Sequence, residues 1–152
     1  MTEILRSRGV FVNYIIALSK AGNLRPVVAV YGAAGHTGRF VIKELSRRGF
    51  TVIAIGRNAA NLAAADFPAG VRRHVAALED PASLARAFTG ASAVINCAGP
   101  FLDTAEPLVS AALRARIPYL DVTAEQASAQ AIFERYSAAA AVSCCRFGGR
   151  HV

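Results

Sequence analysis

Three glycines, Gly32, Gly35 and Gly38, stand in G-x-x-G-x-x-G spacing straight after the apolar run Val27-Val28-Ala29-Val30-Tyr31 and straight before Phe40-Val41-Ile42-Lys43-Glu44-Leu45. The first run has the pattern of a buried strand and the second that of a helix, so the glycines fall in a strand-to-helix turn. Glycine lets the backbone turn tightly and approach an anion, and a helix start offers unpaired N–H groups and the positive end of its dipole. The stretch therefore reads as a phosphate seat, and in this setting as a dinucleotide-binding turn, with Gly38 allowing the helix to pack close to the strand. Such turns are common and the spacing is not the commoner G-x-G-x-x-G, so the weight falls on what gathers around it.

Other residues with chemical potential follow later apolar runs. Ile55-Gly56-Arg57-Asn58 closes the second run, where a site for NAD places a carboxylate about 20 residues beyond the glycine turn to bond the ribose hydroxyls. No acid stands there; a guanidinium does, and it suits a 2'-phosphate in bidentate geometry. NADP is therefore favoured over NAD. Asn96-Cys97-Ala98-Gly99-Pro100-Phe101 closes another run, and Asp121-Val122-Thr123 a further one. Cys97, inside an apolar stretch, reads as a small hydrophobe rather than a nucleophile. Asp121 and Glu125 read as capping and structural hydrogen-bonding groups rather than proton-transfer groups. No Tyr-x-x-x-Lys pair is present, and no residue is assigned a catalytic role. His36, His74 and His151 are scattered, and Cys97, Cys144 and Cys145 have neither metal-ligand nor disulfide spacing, so no metal site is expected.

The elements that must position these residues alternate strand and helix with short connections, the pattern of a parallel sheet covered on both faces. The strands read as Val27 to Tyr31, Thr51 to Ile55, a weaker one around Val71 to Ala76, Ala93 to Cys97, and Tyr119 to Val122. The first helix runs from about Gly35 to Arg48 and is stopped by Gly49. Asn58 caps a short helix ending near Asp66. Asp80-Pro81 opens a helix to Phe88, ended by Gly90. Asp103 and Glu106 form a capping-box-like start for a helix to about Arg116, and Thr123 with Gln126 another for an alanine-rich helix to about Ala140. The order predicts a doubly wound sheet 3-2-1-4-5, with the ligand crevice at the carboxyl ends of strands one and four. The glycine turn, Gly56-Arg57, Asn96 to Phe101 and Asp121 to Thr123 all fall on that edge.

These residues together resemble a known family. Val30-Tyr31-Gly32-Ala33-Ala34-Gly35-His36-Thr37-Gly38-Arg39, Ile55-Gly56-Arg57-Asn58, Val94-Ile95-Asn96-Cys97-Ala98-Gly99-Pro100-Phe101 and Tyr119-Leu120-Asp121-Val122-Thr123-Ala124-Glu125 are similar to the NADP-binding, Rossmann-like domain of saccharopine dehydrogenase-like oxidoreductases. The resemblance covers about Val27 to Ala140. It implies hydride transfer between NADP and a carbon-nitrogen or carbonyl substrate, a small molecule held by a second domain. It also implies a cofactor site made by Gly32, Ala34, Gly35, His36, Thr37 and Gly38 at the pyrophosphate, Arg57 and Asn58 at the adenosine 2'-phosphate, and Asn96, Cys97, Ala98, Gly99 and Pro100 toward the nicotinamide. Ala124 departs from the family, which often has glycine there. The alternative is a non-catalytic NADP-binding redox-sensor or regulatory module; the N-C-A-G-P-F and D-x-T-x-E stretches favour the oxidoreductase.

With 152 residues and 54% hydrophobic content, the chain is expected to form one domain with a real core. Of the net +7, residues 1–25 carry +3 and residues 141–152 another +2, so residues 26–140 hold only +2. A basic run for nucleic acid is lacking, and no specific nucleic-acid partner is expected. Residues 1–25, with apolar Val10 to Leu18, are expected to be a helical or disordered extension, too short an apolar run for a membrane span and without a cleavage site for a signal peptide. Residues 26–140 form the cofactor domain. Residues 141–152 change composition abruptly, as at a truncated or frameshifted terminus, which would leave out the substrate domain. Cysteine usage and the cofactor reading point to the cytoplasm, and the exposed apolar surface of such a half-protein points to self-association.

Overall fold

A computed structural model describes residues 25–122 and 126–145. Five strands, β1 (Val27–Tyr31), β2 (Thr51–Gly56), β3 (Arg72–Val75), β4 (Ala93–Asn96) and β5 (Tyr119–Asp121), form one sheet in the order β3-β2-β1-β4-β5. All four pairings are parallel, with β1 in register between Thr51–Ile55 of β2 and Ala93–Asn96 of β4. Between and after the strands run α1 (His36–Arg47), α2 (Ala59–Ala64), α3 (Pro81–Ala87), α4 (Phe101–Ala115) and α5 (Gln126–Cys145). This is the doubly wound Rossmann-like sheet that the strand and helix rhythm predicts.

The two faces of the sheet are two cores. Val28, Val30, Val52 and Ala54 point to one face, where Ile42 of α1 and Leu62 of α2 cover them. Ala29, Tyr31, Ile53 and Ile55 point to the other, against Leu84 and Ala87 of α3 and Leu108, Ala111 and Ala112 of α4. Because β1 and β2 are covered on both sides, they are runs of unbroken apolar residues rather than alternating ones. β3 is the opposite case: it lies at the edge, and Arg72, Arg73 and Val75 are exposed. Charge on an edge strand discourages further strand pairing. Arg73 also reaches back to α2, donating to the carbonyls of Leu62 at 3.0 Å and Ala65 at 3.2 Å, and its guanidinium lies over the Phe67 ring, 5.1 Å from the centroid.

The expected caps are mostly found. The Asn58 side chain accepts from Asn61 N–H at 2.9 Å, and Asp80 accepts from Ala82 and Ser83 N–H at 3.0 Å ahead of Pro81. Gly49 and Gly90 end their helices with φ of +85° and +77°. α4 differs. It starts at Phe101 with Pro100 as N-cap and no side-chain cap, so Asp103 and Glu106 stand inside the helix rather than forming a capping box. The reason is tertiary: Thr104, one turn in, is tied to Ala98 before the helix, which draws the helical start back to Pro100. α5 continues to Cys145, beyond the expected end near Ala140, since no glycine or proline interrupts Val142-Ser143-Cys144-Cys145. The Thr123 cap lies outside the described residues. No helix among the described residues is long and apolar enough to cross a membrane.

Two positions test these arguments in opposite directions. A Cβ on Gly38 would run into the Gly32 carbonyl oxygen and Ala33, all of it backbone; Gly38→Ala is expected to lose roughly 3 kcal/mol in urea unfolding. Arg116, the α4 C-cap, sits at φ 56°, ψ 41° in the left-handed region, so Arg116→Gly is expected to gain up to about 1 kcal/mol in the same measurement.

Candidate functional site

A cleft of about 710 Å³ opens at the carboxyl ends of β1, β2 and β4, where the winding of the sheet reverses. One wall is the glycine turn. Gly32 takes φ +75°, and a Cβ there would lie 2.7 Å from the Ala98 nitrogen, so the turn and the loop after β4 touch because this residue has no side chain. Gly35 closes the turn, its N–H donating to the Gly32 carbonyl at 3.1 Å. It is also the N-cap of α1, and no side chain there bonds the first N–H groups of the helix. Those donors point outward with the positive end of the helix dipole behind them, the arrangement that binds an anion.

The remaining walls come from Gly56, Arg57, Asn58, Asn61 and Leu62 after β2, Leu78 and Glu79 after β3, and Cys97 to Pro100 after β4. Backbone bonds continue the parallel pairing into these loops: Ala33 N–H to Ile55 O at 3.1 Å, Cys97 N–H to Tyr31 O at 2.9 Å, and Ala76 N–H to Gly56 O at 3.0 Å. The loops are thus fixed to the sheet rather than draped over it.

Of the residues named from the sequence, Gly32, Ala34, Gly35, Arg57, Asn58, Cys97, Ala98, Gly99 and Pro100 line this one cleft. His36 and Thr37 are exposed in the first turn of α1, while Gly38 is buried under it against the strand turn. Asn96 is fully buried beneath the loop. Asp121 accepts from the Tyr119 hydroxyl at 3.1 Å and does not line the cleft; Thr123 lies outside the described residues. Sequence reasoning missed Tyr31, Leu78, Glu79 and Thr104 as lining residues. Leu78 and Glu79 follow the carboxyl end of the weakest strand pattern, so the edge rule that located the other loops applied to them too.

The charges in the cleft are few. Arg57 is exposed, and Glu79 and Asp103 are the acids of the lining. Tyr31 donates to the Ala76 carbonyl at 3.2 Å; burial raises its pKa, Glu79 adds to that, and Arg57 opposes it. Burial likewise raises the Cys97 thiol from 9.0 to about 11 and moves Tyr119 upward. Cys97 thus lines the cleft half-buried, with a thiol that burial holds above the ordinary range. No group of His, Cys, Asp and Glu among the described residues could hold a metal ion.

Comparison with known proteins places this geometry. Residues 32–139 match the model of a family described as NAD(P)H-binding. A protein of Arabidopsis thaliana named as a probable mitochondrial saccharopine dehydrogenase-like oxidoreductase is 31% identical over 114 residues, in a match that covers 64% of this chain and 25% of that protein. The chain therefore spans about a quarter of the length of that relative. Among solved structures, a nucleoside-diphosphate-sugar epimerase from Pseudomonas aeruginosa is 28% identical with a TM-score of 0.54, over 64% of this chain and 33% of that one. Saccharopine dehydrogenase (L-Glu forming) from Saccharomyces cerevisiae shares the fold, with a TM-score of 0.60 at 19% identity over 70% of this chain and 24% of that one.

The thiol gives a measurable signature. At pH 8 only about a thousandth of Cys97 is thiolate with a pKa of about 11, so iodoacetamide labelling of Cys97, read by peptide mass mapping, is expected to be slow at pH 8 and to climb toward pH 11. In urea the same residue should label with an ordinary thiol profile. Because the folded pKa is the higher one, the Cys97 contribution to stability is intact below the ordinary thiol range and is lost as pH rises through it toward about 11.

Proposed function

Since the chain belongs to the NAD(P)H-binding family, we propose that it is the cofactor-holding part of a saccharopine dehydrogenase-like oxidoreductase and that its cofactor is NADP. The observation that carries the reading is the convergence of the side-chain-free turn at Gly32 and Gly35, the uncapped start of α1 and Arg57 on one cleft at the switch point of the sheet. The residues fit a dinucleotide. At Gly32 the turn meets the loop after β4 backbone to backbone, with no side chain between them, and the first N–H groups of α1 have no side-chain partner at the cap.

In this proposal Gly32, Ala34, Gly35, His36 and Thr37 hold the pyrophosphate by backbone N–H groups, and Gly38 lets α1 come close enough to aim them. Arg57 and Asn58 hold the adenosine end. Gly56 ends β2 without a carboxylate, so nothing at that position repels a 2'-phosphate, and the exposed Arg57 guanidinium offers it paired donors. Cys97, Ala98, Gly99 and Pro100 line the path to the nicotinamide, on a loop anchored by Asn96. When bound, the cofactor supplies the hydride chemistry; the chain supplies binding and orientation. The cofactor domain is residues 26–140, and the substrate is a small molecule chosen by residues outside this chain, in line with the quarter of the relative that the chain spans.

Fluorescence titration with NADPH and NADH tests the reading. NADPH is expected to bind about tenfold more tightly, and Arg57→Ala to erase that difference while leaving NADH binding unchanged. Equal affinity for the two would remove NADP from the proposal, and binding of neither would remove the cofactor reading. Val122 and Phe133 leave apolar side chains exposed, at 45% and 73%. Self-association is accordingly expected in analytical ultracentrifugation, and a monodisperse monomer would count against it.

A further inference from the structure

From the hydrogen bonds buried beneath the cleft we infer that Asn96 and Thr104 are positioning residues: together they grip Ala98 by both of its backbone groups and so set the gap between the glycine turn and the loop after β4. The inference rests on the dinucleotide reading of that cleft. Asn96 is 0% exposed and Thr104 6%. The Asn96 Oδ1 accepts from the Ala98 N–H at 2.9 Å, and the Thr104 hydroxyl donates to the Ala98 carbonyl at 2.7 Å. The two side chains are also joined, Asn96 Nδ2 donating to Thr104 Oγ1 at 3.0 Å.

The direction of every bond is determined. Asn96 Nδ2 spends its second proton on the Tyr119 hydroxyl at 3.1 Å, and Tyr119 then donates to Asp121 Oδ2 at 3.1 Å. Turning the Asn96 amide over would face its NH2 group to the Ala98 N–H, donor against donor, and lose the grip. An amide with all its protons used has one orientation, and Ala98 inherits one position from it. That position matters because the Ala98 nitrogen is the atom that a Gly32 Cβ would meet at 2.7 Å. The separation of the two cleft walls is thus set by two buried side chains, one from the end of β4 and one from α4, that hold Ala98 between them.

Thr104→Val removes the hydroxyl at nearly constant volume and leaves the Ala98 carbonyl and one Asn96 proton unpaired. In titrations of the 152-residue chain, Thr104→Val is expected to weaken NADPH binding about tenfold, while Thr104→Ser, which keeps the hydroxyl, stays within about twofold. In the unliganded chain, hydrogen exchange at the Ala98 amide is expected to quicken in Thr104→Val while amides in β1 and β2 keep their protection. A merely structural threonine would move all of these together or none. Wild-type affinity in Thr104→Val, or unchanged exchange at Ala98, would overturn the inference. Should Thr104→Val fail to fold by circular dichroism, Tyr119→Phe takes its place: about threefold weaker NADPH binding with quicker Ala98 exchange supports the grip, and no change in either overturns it. A wild-type chain that binds no dinucleotide removes the proposed function instead; the exchange measurement then decides alone, quickened Ala98 exchange supporting the grip and unchanged exchange refuting it.

Discussion

β1 has neighbours that the chain reaches in opposite directions, and the ligand edge depends on that. It pairs with β2 on one side and β4 on the other. The route to β2 passes over the face covered by α1 and α2, and the return to β4 passes over the face covered by α3 and α4. With right-handed crossovers, the loops that leave β1 and β4 turn to opposite faces and part from each other, which opens a crevice between them. The same geometry makes β1 serve two cores at once. Val28 and Val30 belong to one, Ala29 and Tyr31 to the other, so the strand is apolar as far as Val30, and the hydroxyl of Tyr31 at its end is paired with the Ala76 carbonyl.

A crevice formed this way still needs width. Gly32 admits Ala98 close beside it, and Gly38 admits the Gly32 carbonyl close to α1. Side chains absent at two places therefore bring three pieces of backbone together. The polar atoms so buried are answered locally: Ala98 by Asn96 and Thr104, Asn96 by Thr104 and Tyr119.

Much of this was legible in the sequence, and for physical reasons. Unbroken apolar runs such as Val27 to Tyr31 and Thr51 to Ile55 leave little choice but strands buried on both faces, and capping residues such as Asn58 and Asp80 act over three residues or fewer. Strand order followed from the alternation of strand and helix. What escaped depends on contacts between distant positions. Thr104 and Tyr119 meet Asn96 across 8 and 23 residues, and nothing in the local pattern of either distinguishes it from an ordinary helix threonine or strand tyrosine. The start of α4 escaped for the same reason. Asp103 and Glu106 satisfy the local rule for a cap, but the bond from Thr104 to Ala98 outweighs it.

Arg73 sits on the edge strand, yet it ties that edge to the end of α2 through the carbonyls of Leu62 and Ala65 and to Phe67 through its guanidinium face. α2 has six residues, too few to hold a helix by their own propensity. It also carries Asn61 and Leu62 of the cleft lining. Opening of either β3 or α2 would therefore break the bonds that Arg73 makes between them. Local melting at the rim of the sheet would release the Asn61 and Leu62 side of the cleft while the glycine turn, seated on the central strands, remained folded.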